Sequence, residues 1–467
     1  MSTILEEKSV FPISIGNLLK QLDVEYESSS DIDGFTVSSI VGAENASVVD
    51  GCLFIPYSES DETIVKLCSN KNVVVLSDHF IDGILCIVVS DIINVLKSIC
   101  DWMGSYINIP SIIVTGSEGK TTTKRMIYNV MNTEYKTFCK IGNYNTLHAL
   151  CCQLQEIPTG PEYIVQEVDE SRYNNILYCS QILNPEIAVI TNIAEAHLGA
   201  LGSKDALIKT FLDIGCGLKD DGIIIINADD ETSWGLDFDK KVISVGIKNK
   251  NADYLASNII STDKGKTEFD IIHDGQSEHI TLPVLGEHNV YDAMVAFVIG
   301  KLKGISTKNI KQALLNYRNS GFRQNICSFA GTTVYADCYN ASLRSVSFAV
   351  KTFDSLKAKR KVLVLGDIAE LGEFAEDTYK GIADVINQTN NIDALITYGE
   401  DSAMINNYLT KDILSEHADT FSELDKKIRS MRLKGYNCWL FKASRTMKLE
   451  KNIKKAFPVI WRLYIGR

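Results

Sequence analysis

The sequence predicts an α/β fold divided among three domains, and three observations support this prediction. The chain has 467 residues, which at roughly 150 residues per domain corresponds to about three domains. Hydrophobic residues make up 45% and charged residues 23% of the chain, as in ordinary globular proteins, which excludes disordered, collagen-like and coiled-coil architectures. Short apolar runs alternate with helical patterns, and this alternation is typical of mostly parallel sheets covered by helices.

The first predicted domain covers residues 1–108. Its apolar runs at residues 51–56, 72–76 and 84–89 are separated by polar stretches, which is the pattern of a small α/β unit. The sequence of this domain contains no recognisable catalytic cluster.

The second predicted domain, residues 109–319, begins with a buried strand at 111–115 and a helix from about Thr121 to Met131. Further strands are expected at residues 163–168, 187–191 and 222–227. A linker is expected at 319–324. The third domain, residues 320–467, is expected to be a C-terminal Rossmann-like α/β domain, with strands at 332–336, 361–365, 393–397 and 437–441.

The charge balance restricts the classes of partner. The chain carries 47 Lys+Arg against 59 Asp+Glu, a net charge of −12, and it has no long basic run. These features argue against nucleic acid or an anionic membrane as a partner. No basic signal region and no apolar stretch of about 18 residues is seen in the sequence, so we expect a cytoplasmic location without membrane insertion. The 12 cysteines are scattered and predict neither a metal site nor a disulfide framework.

The strongest local motif is TGSEGKTTT at residues 115–123, between a predicted strand and a predicted helix. In a phosphate loop, glycines let backbone N–H groups approach phosphate oxygens, a lysine reaches the outer phosphates, and a hydroxyl binds Mg²⁺. Lys120 and Thr121 fit the last two roles. Because Val114 replaces the usual first glycine, this is a variant loop, and the alternative is an ordinary glycine-containing turn. We favour the phosphate loop, which implies that the central domain has a P-loop-type, mostly parallel sheet.

Two further side chains are expected near this loop. Glu167 closes the predicted strand at 163–168, and His197 follows the strand at 187–191. Because the carboxyl ends of parallel strands meet at one edge of a sheet, both side chains could reach the same Mg²⁺-nucleotide. Either residue considered alone is more often an ordinary surface or hydrogen-bonded residue.

Taken together, the motifs resemble those of the Mur ligases, ATP-dependent amide ligases of cell-wall precursor synthesis. GSEGKT at 116–121 resembles the family's G-T-[NG]-G-K-T, and GNYN at 142–145 resembles G-N-x-N. TNIAEAHL at 191–198 is similar to T-N-[IV]-x-x-x-H-[LM], and GEHN at 286–289 matches G-x-H-N. Arg323 lies where the family has its hinge arginine.

The C-terminal third resembles one branch of this family, which adds a D-alanyl-D-alanine dipeptide. DCYNA at 337–341, LGDIAELG at 365–372 and KASRTMKLE at 442–450 carry this resemblance. It implies an ATP- and Mg²⁺-dependent carboxylate–amine ligase that acts through an acyl phosphate. Its small-molecule substrates would be a UDP-muramyl-peptide-like acceptor and a D-alanyl-D-alanine-like dipeptide or amino acid, and the protein would be a monomer.

The resemblance also implies a role for each matching residue. Lys120, Glu167, His197, Lys442 and Arg445 would be catalytic, with Thr121, Glu167 and His197 binding metal. The nucleotide would be bound by Gly116, Ser117, Glu118, Gly119, Lys120, Thr121, Thr122, Asn289, Arg323 and Asp337. The acceptor and the amine would be bound by Asn143, Asn145, Ser171, Tyr339, Asn340 and Ser444.

Departures from the family pattern leave alternatives open. Phe211 stands where the family has a carbamylated lysine, and Lys209 would point elsewhere on a helix. Asp169 or Glu170, in EVDES at 167–171, could supply the missing negative charge, and Asp292 replaces a family asparagine. The alternatives are a relative redirected to another amino-acid or peptide substrate outside peptidoglycan synthesis, and a non-catalytic nucleotide- or precursor-binding relative. An unrelated P-loop kinase would not explain KASR at 442–445.

Overall fold

The structure is a computed structural model that describes residues 2–42, 48–140, 142, 144–193, 203–262, 265–319, 321–369 and 371–465. The chain divides into two compact units. Unit 1 comprises Met1–Ser257, Asp270–Glu278 and Val290–Leu314. Unit 2 comprises Asn258–Phe269, His279–Asn289 and Leu315–Arg467.

The strands of the described residues form four sheets. They are β1 (Ile13–Ser14), β2 (Glu27–Ser28), β3 (Thr36–Val37), β4 (Ser39–Val41), β5 (Cys52–Phe54), β6 (Val73–Ser77), β7 (Cys86–Val88), β8 (Ser111–Thr115), β9 (Thr137–Phe138), β10 (Tyr163–Glu167), β11 (Ile187–Ile190), β12 (Ile223–Asn227), β13 (Lys241–Gly246), β14 (Tyr254–Ser261), β15 (Thr267–His273), β16 (Gln276–Leu282), β17 (Asn325–Phe329), β18 (Thr332–Ala336), β19 (Lys361–Gly366), β20 (Ala394–Tyr398), β21 (Leu414–Ala418) and β22 (Cys438–Lys442).

The α-helices connect and cover these strands. They are α1 (Ile4–Glu7), α2 (Ile15–Gln21), α3 (Asp61–Cys68), α4 (Ile92–Gly104), α5 (Lys120–Met131), α6 (Leu147–Glu156), α7 (Asn175–Leu183), α8 (Lys204–Leu212), α9 (Glu231–Trp234), α10 (His288–Leu302), α11 (Thr307–Leu315), α12 (Leu343–Ser355), α13 (Ala375–Asn387), α14 (Phe421–Leu433), α15 (Glu450–Ala456) and α16 (Pro458–Ile460).

The largest sheet has nine strands in the order β16-β15-β14-β13-β12-β11-β8-β10-β9. The run from β9 to β14 is parallel. All five residues of β8 and all four of β11 are buried. Continuous apolar runs are expected for strands covered on both faces. The loop that precedes α5 follows directly after the carboxyl end of β8.

The two other large sheets are also mainly parallel. Residues before 108 form the sheet β2-β7-β6-β5-β4, in which only β2 is antiparallel to its neighbour. Unit 2 contains the sheet β17-β18-β22-β19-β20-β21, parallel except at β17. A small antiparallel ribbon pairs β1 with β3. The predicted mixed α/β fold with parallel-rich sheets is confirmed.

The predicted elements agree with the observed ones to within a residue or two at each end. Strands β8 and β18 have the predicted bounds, and α5 begins at Lys120, one residue before the predicted start. Residues 458–465 are helical, and Ile460 packs into the core of unit 2. Within the described part of the chain, no helix combines the length and the apolar character needed to cross a membrane.

Candidate active site

The loop between β8 and α5 has the backbone conformation that its glycines predict. Gly116 has φ 131° and Gly119 has φ 83°, values that side-chain-bearing residues rarely adopt. A Cβ on Gly116 would clash with Thr191 Oγ1, and one on Gly119 would lie 2.9 Å from Asp292 Oδ1. The loop thus requires glycine at both positions.

Residues at the end of β11 hold this loop in place. The N–H of Ser117 donates to Asn192 O at 3.0 Å, and the N–H of Glu118 donates to Asn192 Oδ1 at 3.1 Å. Thr191 Oγ1 donates to Glu118 O at 2.5 Å. Thr191 and Asn192, which begin the motif at 191–198, therefore hold the phosphate loop in place by hydrogen bonds.

Lys120, the first residue of α5, is held by two oxygen atoms. Its Nζ donates to Gly116 O at 2.5 Å and to Glu170 Oε2 at 2.6 Å. The Glu170 side chain is fully buried and that of Lys120 is 11% exposed. Burial lowers the pKa of Lys120, but the attraction of Glu170 and Asp169 outweighs burial and the net pKa is raised. The lysine is therefore a permanent cation at the loop.

Glu167, at the end of β10, accepts hydrogen bonds from one side chain on a helix and one side chain in a loop. Thr121 Oγ1 donates to its Oε2 at 2.9 Å, and Asn145 Nδ2 donates to its Oε1 at 3.1 Å. The structure thus brings together three predicted site residues: the hydroxyl Thr121, the carboxylate Glu167 and the amide Asn145. Hydroxyl and carboxylate oxygens are the ligands that Mg²⁺ prefers.

Lys124 is a residue of this site that the sequence analysis did not identify. Its side chain is 3% exposed and its Nζ lies 3.3 Å from Glu167 Oε2. The same Nζ donates to Gly142 O at 2.8 Å and Lys140 O at 3.2 Å. The sequence did contain a signal for Lys124: it follows Lys120 by four residues, which places both lysines on one face of the helix. Lys124 therefore links Glu167 to the segment that leads into GNYN.

Asp292 on α10 lies behind the phosphate loop. Its Oδ1 accepts from Thr123 Oγ1 at 2.6 Å, and the residue is 5% exposed. Burial raises its pKa to about 7, with the Thr123 hydrogen bond acting in the opposite direction. Asp292, which stands where the family has an asparagine, is therefore a buried carboxyl group with a raised pKa.

Two predicted site residues, Asn143 and His197, lie outside the described residues. Ser171 is described, and its hydroxyl donates to Asp169 Oδ2. Phe211 is fully buried in the main core of unit 1, whereas Lys209 is exposed. This placement agrees with the expectation that Lys209 does not substitute for a lysine at position 211.

The remaining predicted residues are found in unit 2. Asn289 is 1% exposed, and its Nδ2 donates to Leu285 O at 2.7 Å and Gln324 Oε1 at 2.8 Å. Lys442 Nζ lies 3.0 Å from Asp337 Oδ2 and donates to Asn340 O at 2.8 Å. Asp337 Oδ1 also accepts from the Gln324 N–H at 3.1 Å. Gln324, which the sequence analysis did not identify, connects Asn289 with Asp337.

Four more predicted residues of unit 2 make contacts of their own. The Arg323 guanidinium stacks on Tyr339, 3.9 Å from the ring centroid. Arg445 Nη1 pairs with Glu450 Oε1 at 2.8 Å, and Ser444 Oγ accepts from the Ala369 N–H at 2.8 Å. Unit 2 thus joins Asn289, Gln324, Asp337, Asn340 and Lys442 through hydrogen bonds and one ion pair, and it stacks Arg323 on Tyr339.

A nucleotide phosphate and a magnesium ion both fit the residues of unit 1. The glycine cradle at 116 and 119, the cation Lys120 and the start of α5 suit phosphate oxygens. Thr121 and Glu167 offer oxygen ligands to Mg²⁺, which binds proteins through one or two carboxylates plus substrate phosphates. Within the described ranges, no group of three or more His, Cys, Asp or Glu side chains forms a complete metal cage.

Comparison with known protein families gives two matches. The Mur ligase middle domain matches residues 114–300. The Mur ligase, glutamate ligase domain matches residues 323–444.

Relatives match over most of the chain. A UDP-N-acetylmuramoyl-tripeptide–D-alanyl-D-alanine ligase from Bacillus subtilis is 34% identical over 375 residues, covering 79% of this chain and 80% of the relative. The Borreliella burgdorferi protein of the same name is 29% identical over 427 residues, covering 88% and 89%.

Solved structures share the fold. MurF from Acinetobacter baumannii has a TM-score of 0.79 at 23% identity, covering 95% of this chain and 98% of the other. The MurF ligase from Thermotoga maritima in complex with ADP has a TM-score of 0.75 at 20% identity, covering 91% and 98%.

Proposed function

Because this chain belongs to the Mur ligase family, we propose that it forms an amide bond between a D-alanyl-D-alanine-like dipeptide and a UDP-muramyl-peptide acceptor, with hydrolysis of ATP to ADP and phosphate. The two relatives, which match over 80% and 89% of their own length, carry the name of this ligase. The reaction is a step in the synthesis of the peptidoglycan precursor.

The observation that carries the proposal is the pairing of the phosphate loop with Glu167. Lys120 and Thr121 leave the loop on the first turn of α5, and Thr121 donates to Glu167 at the end of a neighbouring parallel strand. In open parallel sheets, ligands bind at the carboxyl ends of the strands. This arrangement supports transfer of a phosphoryl group from a bound nucleotide.

Each residue of unit 1 has a role that follows from its chemistry. Lys120 would hold the outer phosphates, and Thr121 with Glu167 would hold Mg²⁺. The ion would supply positive charge against the phosphate oxygens. His197 is proposed as a further ligand by resemblance. The γ-phosphoryl group would pass to the acceptor carboxylate, giving an acyl phosphate and ADP. The amine would then attack the carbonyl carbon and displace phosphate, losing its extra proton.

The unit 2 residues are proposed to bind the nucleotide and the reacting groups. Asn289, Arg323 and Asp337 would contact ATP. Lys442 and Arg445 are cations that would face the carboxylate and the transferred phosphoryl group, where charge develops. Tyr339, Asn340 and Ser444, together with Asn143, Asn145 and Ser171, are proposed to position the acceptor and the amine.

We propose three functional domains for this reaction. Residues 1–108 would bind the UDP-linked acceptor, residues 109–319 would bind ATP, and residues 320–467 would complete the site for the amine. The protein is proposed to act as a cytoplasmic monomer, and size-exclusion chromatography with light scattering would check the oligomeric state.

The central test is a phosphate-release assay with single omissions. Release should require ATP, Mg²⁺, a UDP-N-acetylmuramoyl-tripeptide and D-alanyl-D-alanine together, and mass spectrometry should detect the pentapeptide product. Lys120→Ala should reduce turnover by about 10³-fold or more, because the phosphates lose their cation. Lys308→Ala, on the exposed surface, is the matched control and should retain wild-type turnover.

Three other outcomes of this assay would each indicate a different function. Phosphate release that ignores every amine offered would contradict the ligase proposal. A strong preference for another amine would identify a redirected relative. Nucleotide binding without turnover on any acceptor would identify a non-catalytic binding protein.

A further inference from the structure

Residues 426–467 carry a charge opposite in sign to that of the whole chain. They contain 13 Lys+Arg and one acidic residue, Glu450, whereas the chain has a net charge of −12. All the other acidic residues precede this segment, so the net charge conceals it. From that net charge we expected no anionic membrane as a partner, but charge asymmetry along a sequence indicates an interaction surface.

Part of this positive charge surrounds a groove in unit 2. The groove has a volume of about 330 Å³, and its lining includes Arg429, Arg432 and Tyr436. Arg360 lies beside it, because its guanidinium is 5.8 Å from the Tyr436 ring centroid and its Nη1 donates to Lys434 O. Lys434 is exposed within the same turn. We call this site the basic groove, and its four cations are Arg360, Arg429, Arg432 and Lys434.

The basic groove lies at the amino ends of two parallel strands. Thr332 begins β18 and Asn437 precedes β22, and both residues line the groove. Lys442 ends β22 and Asp337 follows β18, so these two proposed site residues lie at the opposite ends of the same strands. A partner bound at the basic groove would therefore leave them uncovered.

The acidic side chains of α14 and of the adjoining sheet edge have partners of their own. On α14, Asp425 pairs with Lys455, and Glu423 accepts from a backbone N–H at 3.0 Å. Asp393, which precedes β20, accepts from a backbone N–H at 2.7 Å. In the part of the chain that the structure describes, no carboxylate forms an ion pair with the four cations. The charge of the basic groove is therefore available to an anionic partner.

Leu433 adds an exposed apolar side chain to the basic groove. It is 83% exposed and follows Arg432 directly in the sequence. Apolar side chains among cations suit the boundary between lipid headgroups and acyl chains. Single-stranded nucleic acid is bound instead by cations together with open aromatic rings, and the ring of Tyr436 already lies beside Arg360.

We propose that the basic groove docks the protein on the surface of an anionic lipid bilayer. The four cations face lipid phosphates, and Leu433 enters the headgroup region. Each Lys or Arg near such a surface strengthens binding by roughly fivefold. The acidic remainder of the chain does not prevent docking, because charges farther than about 8 Å from the surface are largely screened at physiological salt. This inference goes beyond the proposed function and does not depend on it.

The test is co-sedimentation of the full-length protein with lipid vesicles. The wild type should bind vesicles that contain phosphatidylglycerol and not vesicles of phosphatidylcholine alone. Raising the salt from about 0.05 M to about 0.5 M should release it. Arg429→Gln combined with Lys434→Gln should weaken binding by about 25-fold, because two cations are lost. Leu433→Gln, which keeps every cation, should weaken it several-fold and covers failure of the double variant to fold.

A second double variant is the matched control. Lys351→Gln combined with Lys380→Gln removes the same charge from exposed positions on α12 and α13, and it should bind as the wild type does. Equal losses in the two double variants would overturn the inference, because net charge alone would then explain binding. A wild type that sediments equally with both kinds of vesicle, or that binds a single-stranded oligonucleotide and neither kind of vesicle, would also overturn it.

Discussion

At the scale of single residues, Asp292 makes stability depend on pH in a predictable direction. Its folded-state pKa is raised by burial to about 7, above the ordinary value near 3.9 in the unfolded chain. Between these two values the unfolded chain ionises while the folded chain keeps its proton, so the free energy of unfolding falls as pH rises. This stabilisation is complete below about pH 4 and is lost above about pH 7.

Asp292→Asn should remove this dependence and stabilise the protein at alkaline pH. The amide oxygen can still accept from Thr123, but no buried charge forms. The free energy of unfolding of the variant should exceed that of the wild type by an amount that grows between pH 4 and pH 8, to at most about 4 kcal/mol. Urea unfolding across this range would measure it, with exposed Asp412→Asn as the control. Parallel pH profiles for wild type and Asp292→Asn would contradict the assignment.

Lys124 is predicted to position Glu167 and not to contact substrate. Lys124→Met keeps most of the stem and removes the ammonium, which frees the carbonyls of Lys140 and Gly142 and leaves Glu167 without a cation at 3.3 Å. Turnover should fall by about 10-fold to 100-fold, since small displacements of catalytic groups are costly. Lys124→Arg should recover part of the activity because it keeps the charge. Phosphate release and circular dichroism on the same samples would separate loss of positioning from loss of folding; wild-type turnover in Lys124→Met would refute the role.

At the scale of elements, the loop between β8 and α5 depends on Gly116. Gly116→Ala would place a Cβ against Thr191 and force an unfavourable φ of 131° on alanine. We expect at least a tenfold loss of ADP affinity by calorimetry, together with a lower melting temperature. Gly34→Ala is the matched control, because a Cβ there meets nothing within 4 Å. Equal ADP affinities in the two variants would show that the loop tolerates a side chain.

Strands that form a short run of apolar and β-branched residues could be predicted from the sequence, whereas strands of alternating burial such as β15 could not. Strands β8 and β18 were predicted with their observed bounds because each consists mainly of β-branched and apolar residues, although the first two residues of β18 are only partly buried. The sequence analysis did not identify β13 to β16. In β15, burial alternates with exposure along Thr267–His273, so polar residues interrupt the apolar pattern. An alternating strand of this kind is easily taken for a loop.

The site was predictable where its chemistry is local in sequence. The glycines, Lys120 and Thr121 share one motif, so their proximity follows from the loop alone. Lys124 was different, because a buried lysine is recognised only when its helix face and its partner are known. The Lys120–Glu170 contact joins residues 50 positions apart, and only the parallel pairing of β8 with β10 brings them together.

At the scale of the whole molecule, the proposed nucleotide-binding residues occur in both compact units. Lys120 and Thr121 belong to unit 1, whereas Asn289, Arg323 and Asp337 belong to unit 2. A ligand that binds only the folded state raises stability by about 2.7 kcal/mol at 100 times its dissociation constant. If both groups bind the nucleotide, both units should therefore be stabilised by it.

The four tryptophans allow this expectation to be measured without substitutions in the core. Trp102 and Trp234 lie in unit 1, and Trp439 and Trp461 lie in unit 2. With 5-fluorotryptophan incorporated, ¹⁹F resonances followed during heating would report each unit separately. Adenylyl imidodiphosphate with Mg²⁺ should raise the midpoints of both pairs, and Lys120→Ala should abolish both shifts. A shift confined to the unit 1 pair would remove Asn289, Arg323 and Asp337 from nucleotide binding, while leaving the phosphate loop in its proposed role.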